Sequence, residues 1–129
     1  MSIVRLQHTS VPRPPGNEAH EQAVQYYGHL LGLEEVPKPR TFTDIEVTWF
    51  RIGDAEIHLF ATSPGEAHPH TGTHFCLVVD DLEATREKLE TAGYRCDDSA
   101  PIPNRPRFQT RDPFGNGIEF TTIEGDYLA

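Results

Sequence analysis

The strongest constraint on the fold is an internal repeat in the 129-residue chain. Each half begins with a short apolar strand that carries a histidine, His8 or His74, and continues into a helical stretch that ends at a glycine, Gly32 or Gly93. The histidine and the glycine are 24 residues apart in the first half and 19 in the second. The difference of five residues equals the length of the Pro- and Gly-rich segment PRPPG at 12–16, so one loop insertion accounts for it.

A second spacing supports the same repeat. His8 and His58 are 50 residues apart, and His74 and Glu119 are 45 residues apart, which is again a difference of five. Both halves therefore have the order strand, helix, linker strand and hairpin, which is a βαβββ unit. We expect an α+β fold in which two such units form a mixed, partly closed, barrel-like sheet with the helices outside.

The element boundaries follow from local signals. A single domain, 1–129, is predicted to contain module one at 1–61, a polar linker at 62–71 and module two at 72–129. The first helix is predicted over about 17–31 with Asn17 as its N-cap, and the second begins after Asp80 or Asp81 and ends near Thr91.

The first hairpin has a register that its turn determines. With Gly53 and Asp54 as a two-residue turn, alternate side chains of the two strands share a face. The apolar face, which a helix can cover, consists of Phe50, Ile52, Ile57 and Leu59. The opposite face combines the only tryptophan with an imidazole and two charges: Trp49, Arg51, Glu56 and His58.

The second hairpin leaves two registers open. If its turn contains a bulge, Phe108 joins the apolar face, and Arg107, Gln109 and Arg111 accompany Glu119. Without a bulge, Phe108 and Thr110 face the cavity instead. We favour the bulge, because burying Phe108 stabilises the fold by about 2 kcal/mol.

The repeat also groups potential metal ligands. His8 and His74 occupy equivalent points of the first strands, and His58 and Glu119 occupy equivalent points of the last strands. Imidazole and carboxylate ligands suit Zn, Ni, Fe, Co or Mn, so we predict a divalent metal site at these four residues. Glu56 is the competing carboxylate, in which case His58 is a neighbouring group or a general base. Cys76 shares the face of His74, and its ordinary interpretation is a small buried side chain.

Composition excludes other classes of function. Eleven basic and 20 acidic residues leave a net charge of -9, which argues against binding to nucleic acid or to an anionic membrane surface. The longest apolar run, 75–79, is too short to cross a bilayer, and the first residues lack the pattern of an export signal. We therefore expect a cytoplasmic protein in which Cys76 and Cys96 are reduced thiols.

Several segments resemble the vicinal oxygen chelate superfamily, which includes glyoxalase I, bleomycin-resistance proteins and extradiol dioxygenases. The resemblance lies in the paired βαβββ order and in the segments AVQYYGHLLGLE (23–34), VDDLEATREKLETAGY (79–94) and DPFGNGIEF (112–120). It implies that His8, His74 and Glu119 are metal ligands. The fourth ligand position of the glyoxalases holds a glutamate but is His58 here, a departure that puts glyoxalase I activity in doubt.

The resemblance also implies a reaction class and a set of substrate contacts. Members bind neighbouring oxygens of a small substrate to a divalent ion, and Glu56 or His58 is then the candidate base. The candidate substrate-binding residues are Ser10, Trp49, Arg51, Arg107 and Gln109. We expect an isomerase, lyase or transferase; the alternatives are a metal-free protein that sequesters a small molecule and a single-module iron dioxygenase. A homodimer is expected, since members pair their modules within a chain or between chains.

Overall fold

The chain forms two compact units, each with its own sheet. The computed structural model describes residues 1–62 and 73–128, and the division between the units falls within the segment that is not described. All but the first residue of the predicted linker therefore lies outside the described residues. We refer to the part before this segment as unit 1 and to the part after it as unit 2.

Unit 1 has the predicted order of elements. Its strands and helical segments are β1 (His8–Arg13), α1 (Asn17–Ala23), a π-helical segment (Val24–Leu30), β2 (Glu34–Val36), β3 (Val47–Ile52) and β4 (Ala55–Ala61). The sheet order is β1-β4-β3-β2, with β1 parallel to β4 and the other pairs antiparallel.

Unit 2 repeats that order. Its elements are β5 (His74–Val78), α2 (Leu82–Thr91), β6 (Asp97–Asp98), β7 (Arg107–Arg111) and β8 (Gly117–Thr121). The sheet order is β5-β8-β7-β6, with β5 parallel to β8 and the other pairs antiparallel. The α+β class with two mixed sheets is thus confirmed.

Both hairpins have the predicted register. In unit 1, Trp49 lies opposite His58 and Arg51 opposite Glu56. In unit 2, Gln109 lies opposite Glu119 and Phe108 opposite Phe120, which is the arrangement with extra residues in the turn. The apolar faces are buried, since Phe50, Leu59, Phe108 and Phe120 are each at most 2% exposed. Polar side chains are thereby held on the other face of each sheet.

The helix starts differ in how well the sequence predicts them. Asp81 caps α2 as expected, because its side chain accepts a hydrogen bond from the backbone of Ala84 at 3.0 Å. The prediction of Asn17 as a cap was wrong. Gly16 occupies that position with a φ of 105°, a conformation that costs glycine little, and Asn17 is the first helical residue. Within the described residues, no helix is long and apolar enough to cross a membrane.

Candidate functional site

Register places the four predicted ligands at matching positions of the two units. In unit 1, the Cα partner of His58 on the first strand is Ser10, two residues after His8. In unit 2, the Cα partner of Glu119 is Cys76, two residues after His74. The repeat arithmetic is therefore reproduced by the strand pairing, with His8 and His58 in unit 1 and His74 and Glu119 in unit 2.

The polar face of unit 1 carries a stack of rings. His58 lies between two other rings, with centroid distances of 4.0 Å to both His8 and Trp49 and interplanar angles of 18° and 7°. Its Nε2 lies 2.8 Å from Oε1 of Glu56. We call these four residues the His58 cluster: His8, Trp49, Glu56 and His58.

Two other predicted contacts of unit 1 lie at the margin of this cluster. Ser10 is exposed. The guanidinium of Arg51 is turned toward Glu34 at 3.7 Å, although Arg51 and Glu56 are register partners. Their positions in the strands follow the prediction, but the guanidinium of Arg51 is paired with Glu34 outside the His58 cluster.

Glu56 is ionised more readily than an ordinary glutamate. The hydrogen bond with His58 is the main reason that the pKa of Glu56 is lowered, and a hydrogen bond with Gln7 acts in the same direction against the opposing effect of burial. The side chains of Glu56 and His58 are 21% and 12% exposed, so the pair is sheltered. A carboxylate that holds an imidazole in place is a common arrangement for accepting a proton.

The polar face of unit 2 is organised around one buried carboxylate. The side chain of Glu119 is 3% exposed, and its Oε1 accepts hydrogen bonds from Arg107 at 3.0 Å and Gln109 at 2.9 Å. Its Oε2 accepts from Arg105 at 2.8 Å and from the thiol of Cys76 at 3.5 Å. His74 completes the set, with Nε2 at 3.3 Å from Oε1. We call these six residues the Glu119 cluster: His74, Cys76, Arg105, Arg107, Gln109 and Glu119.

The charges of this cluster favour an ionised carboxylate. Burial alone would raise the pKa of Glu119, but the hydrogen bonds from Arg105, Cys76 and Arg107 outweigh it, and the pKa is lowered. The neighbouring thiol behaves in the opposite way. Partial burial of the thiol group and the negative charge of Glu119 raise the pKa of Cys76 to about 11. As a residue Cys76 is exposed, so its interpretation as a buried filler was wrong.

Arg105 is the member of the cluster that sequence analysis did not identify. It lies in the Pro-rich linker before β7, where strand alternation does not apply. The one available signal is its position two residues before Arg107 and four before Gln109, which would place it on the same face if the strand extended backward. The Nε atoms of Arg105 and Arg107 are both buried without a hydrogen-bond acceptor within the described residues.

The side chains as they stand do not fit a resident metal ion. In unit 1 the rings of His8 and His58 are nearly parallel. An imidazole lone pair lies in the plane of its ring, and a bound zinc ion lies about 2.1 Å from the nitrogen. Two nearly parallel planes do not meet that close to the rings, so these histidines cannot share one ion in this arrangement.

Unit 2 disfavours a cation for an electrostatic reason. Two guanidinium groups face one carboxylate in the Glu119 cluster, which leaves a net positive charge where a divalent cation would have to bind. Both oxygens of the only carboxylate in that cluster already accept hydrogen bonds. Across residues 1–62 and 73–128, no group of three or more His, Cys, Asp or Glu side chains is placed to hold a metal ion.

Known structures of the same fold include an antibiotic-binding protein and a lyase. A glyoxalase-family protein from Bacillus anthracis is 31% identical, with a TM-score of 0.85 over 95% of this chain and 98% of that one. TnmS3, an antibiotic-binding protein from Streptomyces sp. CB03234, is 21% identical, with a TM-score of 0.69 over 95% and 98% of the two chains. A lactoylglutathione lyase from Agrobacterium tumefaciens is 19% identical, with a TM-score of 0.67 over 96% and 97%.

The sequence comparison defines the family. No curated protein matches the chain significantly in sequence. The family profile, in contrast, matches residues 16–120, which include most of both units. The fold, the repeat and this match agree with the resemblance found in the sequence, and the chain therefore belongs to the glyoxalase/bleomycin resistance protein/dioxygenase superfamily.

Proposed function

We propose that this chain binds a small oxygen-rich molecule through side-chain hydrogen bonds and ring contacts, without a resident metal ion. The proposal rests on the hydrogen bonding of Glu119. Its two carboxylate oxygens already accept hydrogen bonds from Arg105, Arg107 and Gln109. The family assignment is consistent with this function, but it does not decide between binding and catalysis. The same fold occurs in an antibiotic-binding protein and in a lyase.

Charge balance is the physical basis of the proposal. A hydrogen bond to a charged group contributes about 1.5 to 3 kcal/mol, so releasing Glu119 from both arginines would cost several such contacts. The released guanidinium groups would remain close to the incoming cation and repel it. A neutral or anionic molecule meets neither obstacle, because it can accept hydrogen bonds from the same groups.

The predicted substrate contacts are compatible with such a ligand. Gln109 and His74 line a cleft of about 540 Å³ in unit 2, a volume that suits a small organic molecule. In unit 1, the indole of Trp49 offers an apolar face beside His58. Arg107, Arg51 and Ser10 are the further polar groups that we propose to contact the ligand.

A metal-dependent enzyme is the second candidate, and strand register favours it. His8 in unit 1 and His74 in unit 2 have equivalent positions in the register of their own sheets, and so do His58 and Glu119. In this alternative His8, His74 and Glu119 hold Zn, Ni, Fe, Co or Mn after rearrangement, with either His58 or Glu56 as the fourth ligand and the other of these two as the base. An isomerase, a lyase, a transferase and an iron dioxygenase are all variants of it.

Metal content distinguishes the two candidates. The protein should be purified without chelating resin and its metals measured by inductively coupled plasma mass spectrometry. We expect well under one metal ion per chain. Small molecules released on denaturation should be measured in the same sample, because a sequestering protein is expected to retain its ligand.

Two variants sharpen the outcome. His74→Ala should leave the low metal content unchanged, whereas Arg105→Gln combined with Arg107→Gln should raise it, because Glu119 then faces no guanidinium. One metal ion per wild-type chain that is lost in His74→Ala would overturn the proposal and establish the metal-dependent alternative. The expected homodimer is tested separately by light scattering.

A further inference from the structure

The cleft of unit 2 contains a cation without a carboxylate partner. Among the described residues, no carboxylate lies within ion-pair distance of Arg111, whose Nη1 donates instead to the backbone oxygen of Gly115 at 2.6 Å. Arg95, on the wall of the same cleft, is paired with Asp97 at 2.9 Å. The uncompensated charge in the cleft is therefore that of Arg111.

Unit 1 contains a carboxylate at the corresponding place. There Glu56 is the register partner of Arg51 on one side and of His8 on the other. Its carboxylate accepts a hydrogen bond within the His58 cluster. The first unit thus has an acidic group between an arginine and a histidine of neighbouring strands.

The same position in unit 2 is a glycine. Gly117 is the register partner of both Arg111 and His74, so the arginine and the histidine are retained while the carboxylate is missing. A Cβ atom at Gly117 would lie 2.6 Å from the backbone oxygen of Thr73 and 3.1 Å from Cβ of His74. Because β5 approaches so closely, the chain cannot supply a side chain of its own at this point.

We propose that an oxyanion of the ligand, a carboxylate or a phosphate, binds over Gly117 in the place that the Glu56 carboxylate takes in unit 1. Arg111 neutralises it, and His74 and Gln109 line the same cleft as hydrogen-bond partners. The nearby charge of Glu119 does not oppose this binding, because the charges of Arg105 and Arg107 together exceed it. The inference rests on the proposed function, since it specifies the chemical class of the molecule bound.

Nuclear magnetic resonance titration tests the site with simple probes. Inorganic phosphate and acetate are added separately to the full chain, with chloride at matched ionic strength as the reference. We expect saturable shifts of the Gly117 amide and of the Arg111 side-chain Nε–H with at least one probe. Arg111→Gln should weaken that binding about tenfold or more, as loss of a charge-assisted hydrogen bond implies.

Matched variants separate recognition from folding. Arg5→Gln removes an arginine of unit 1 that is paired with Asp54 and is not among the proposed ligand contacts, and it should leave the titration unchanged. Arg111→Lys retains the charge and should retain part of the affinity. The Arg111 Nε–H shift is measured in the wild type, so the test stands even if Arg111→Gln does not fold.

Each result is decisive. Saturation with phosphate alone indicates a phosphorylated ligand, saturation with acetate alone indicates a carboxylate ligand, and both support the inference. Shifts that stay linear with every probe, or equal affinity in a folded Arg111→Gln variant, would overturn it. One metal ion per chain together with Arg111-dependent binding would refute the proposed function and leave this site intact. Metal-free protein without oxyanion binding would refute this site alone.

Discussion

Glu119 is 3% exposed and carries a full charge, so its neighbours determine whether it stabilises the fold. An unpaired buried carboxylate is costly, and here two arginines and an amide supply donors to its oxygens. The arginines depend on Glu119 in turn, because their other nitrogens include two buried Nε atoms without an acceptor in the described part of the chain. Removing the carboxylate therefore leaves Arg105, Arg107 and Gln109 without their common hydrogen-bond acceptor, which lowers the free energy of unfolding.

We predict that Glu119→Gln lowers the free energy of unfolding by about 3 kcal/mol at neutral pH, because it leaves two guanidinium groups without their charge partner. Folding lowers the pKa of Glu119 below its usual 4.5. The stabilisation is therefore fully present above that usual value and is lost as the pH falls through the lowered, folded-state pKa. Urea denaturation at a series of pH values measures the difference between variant and wild type.

Glu87→Gln is the matched control, since Glu87 is an exposed residue of α2. Its effect should stay within about 0.5 kcal/mol at every pH. If the two variants lose equal stability, or if the effect of Glu119→Gln does not shrink in acid, Glu119 does not have the charge balance described above.

Cys76 offers a chemical test of the same cluster. With a pKa raised to about 11, the thiol should be alkylated by iodoacetamide about a hundredfold more slowly at neutral pH than an ordinary thiol of pKa near 9.0. The rate should rise as the pH approaches 11. The measurement uses Cys96→Ser, which leaves one thiol, and mass spectrometry of the product.

The same experiment includes two internal comparisons. Adding Glu119→Gln should speed alkylation of Cys76, because the negative charge that raises its pKa is gone. Denaturation in urea should restore the ordinary thiol rate. Fast alkylation of the folded Cys96→Ser protein at neutral pH would show that burial and Glu119 do not raise the pKa of the Cys76 thiol.

Individual residues were predictable where alternation applies. His58 and Trp49 lie on the polar face of unit 1 as the tight turn predicts, and Gln109 accompanies Glu119 in unit 2 as the burial of Phe108 predicts. Arg105 was not predictable, because it reaches Glu119 from a linker whose course depends on tertiary structure. The charge state of the cluster was missed for the same reason.

At the scale of elements, the two hairpins use different means to fix their register. The first needs only a tight turn, in which Gly53 has a φ of 58°. The second has a longer loop around Asp112, which is 4% exposed. Its Oδ1 accepts from the backbone amides of Phe114 at 2.9 Å and Asn116 at 2.8 Å, and its Oδ2 accepts from the Asn116 side chain at 2.8 Å.

We expect Asp112→Ala to lower the free energy of unfolding by about 2 to 3 kcal/mol, because buried amides lose their acceptors. Amide hydrogen exchange should accelerate in β7 and β8 before the rest of the chain. Asp54→Ala is the matched control, since the side chain of Asp54 is 87% exposed and lies 4.0 Å from its ion-pair partner Arg5. Its effect should stay below about 1 kcal/mol, and equal effects of the two variants would contradict the role of Asp112.

Elements were predictable to the extent that their signals are local. The order of elements along the chain and the Asp81 cap depend on nearby residues, and both are as expected. The change from α- to π-helical geometry at Val24 was not expected, because a periodicity of apolar residues specifies a helix without its hydrogen-bond pattern. Gly16 occupies the capping position instead of Asn17, because its positive φ costs glycine little.

At the scale of the whole molecule, the internal repeat predicted the architecture. The spacing difference of five residues between the two halves can be counted in the sequence without any knowledge of the structure. Ligand chemistry was harder to predict, since it depends on which charges neutralise one another. A chain with a net charge of -9 nevertheless has a polar face in unit 2 that contains Arg105, Arg107 and Arg111. The net charge therefore describes the electrostatic potential around the whole protein, and it does not predict the charge of the polar face in unit 2.

The glycine at position 117 also has a consequence for how the two halves can diverge. The close approach of Thr73 and His74 leaves no room for a larger side chain at Gly117, so a single substitution there cannot give unit 2 the carboxylate that unit 1 has. Unit 1 contains its own carboxylate at this position, that of Glu56. Under our proposal, unit 2 binds the carboxylate or phosphate of a ligand there instead. A change of ligand specificity would therefore require substitutions at the side chains around Gly117, such as Arg111 and Gln109, rather than at Gly117 itself.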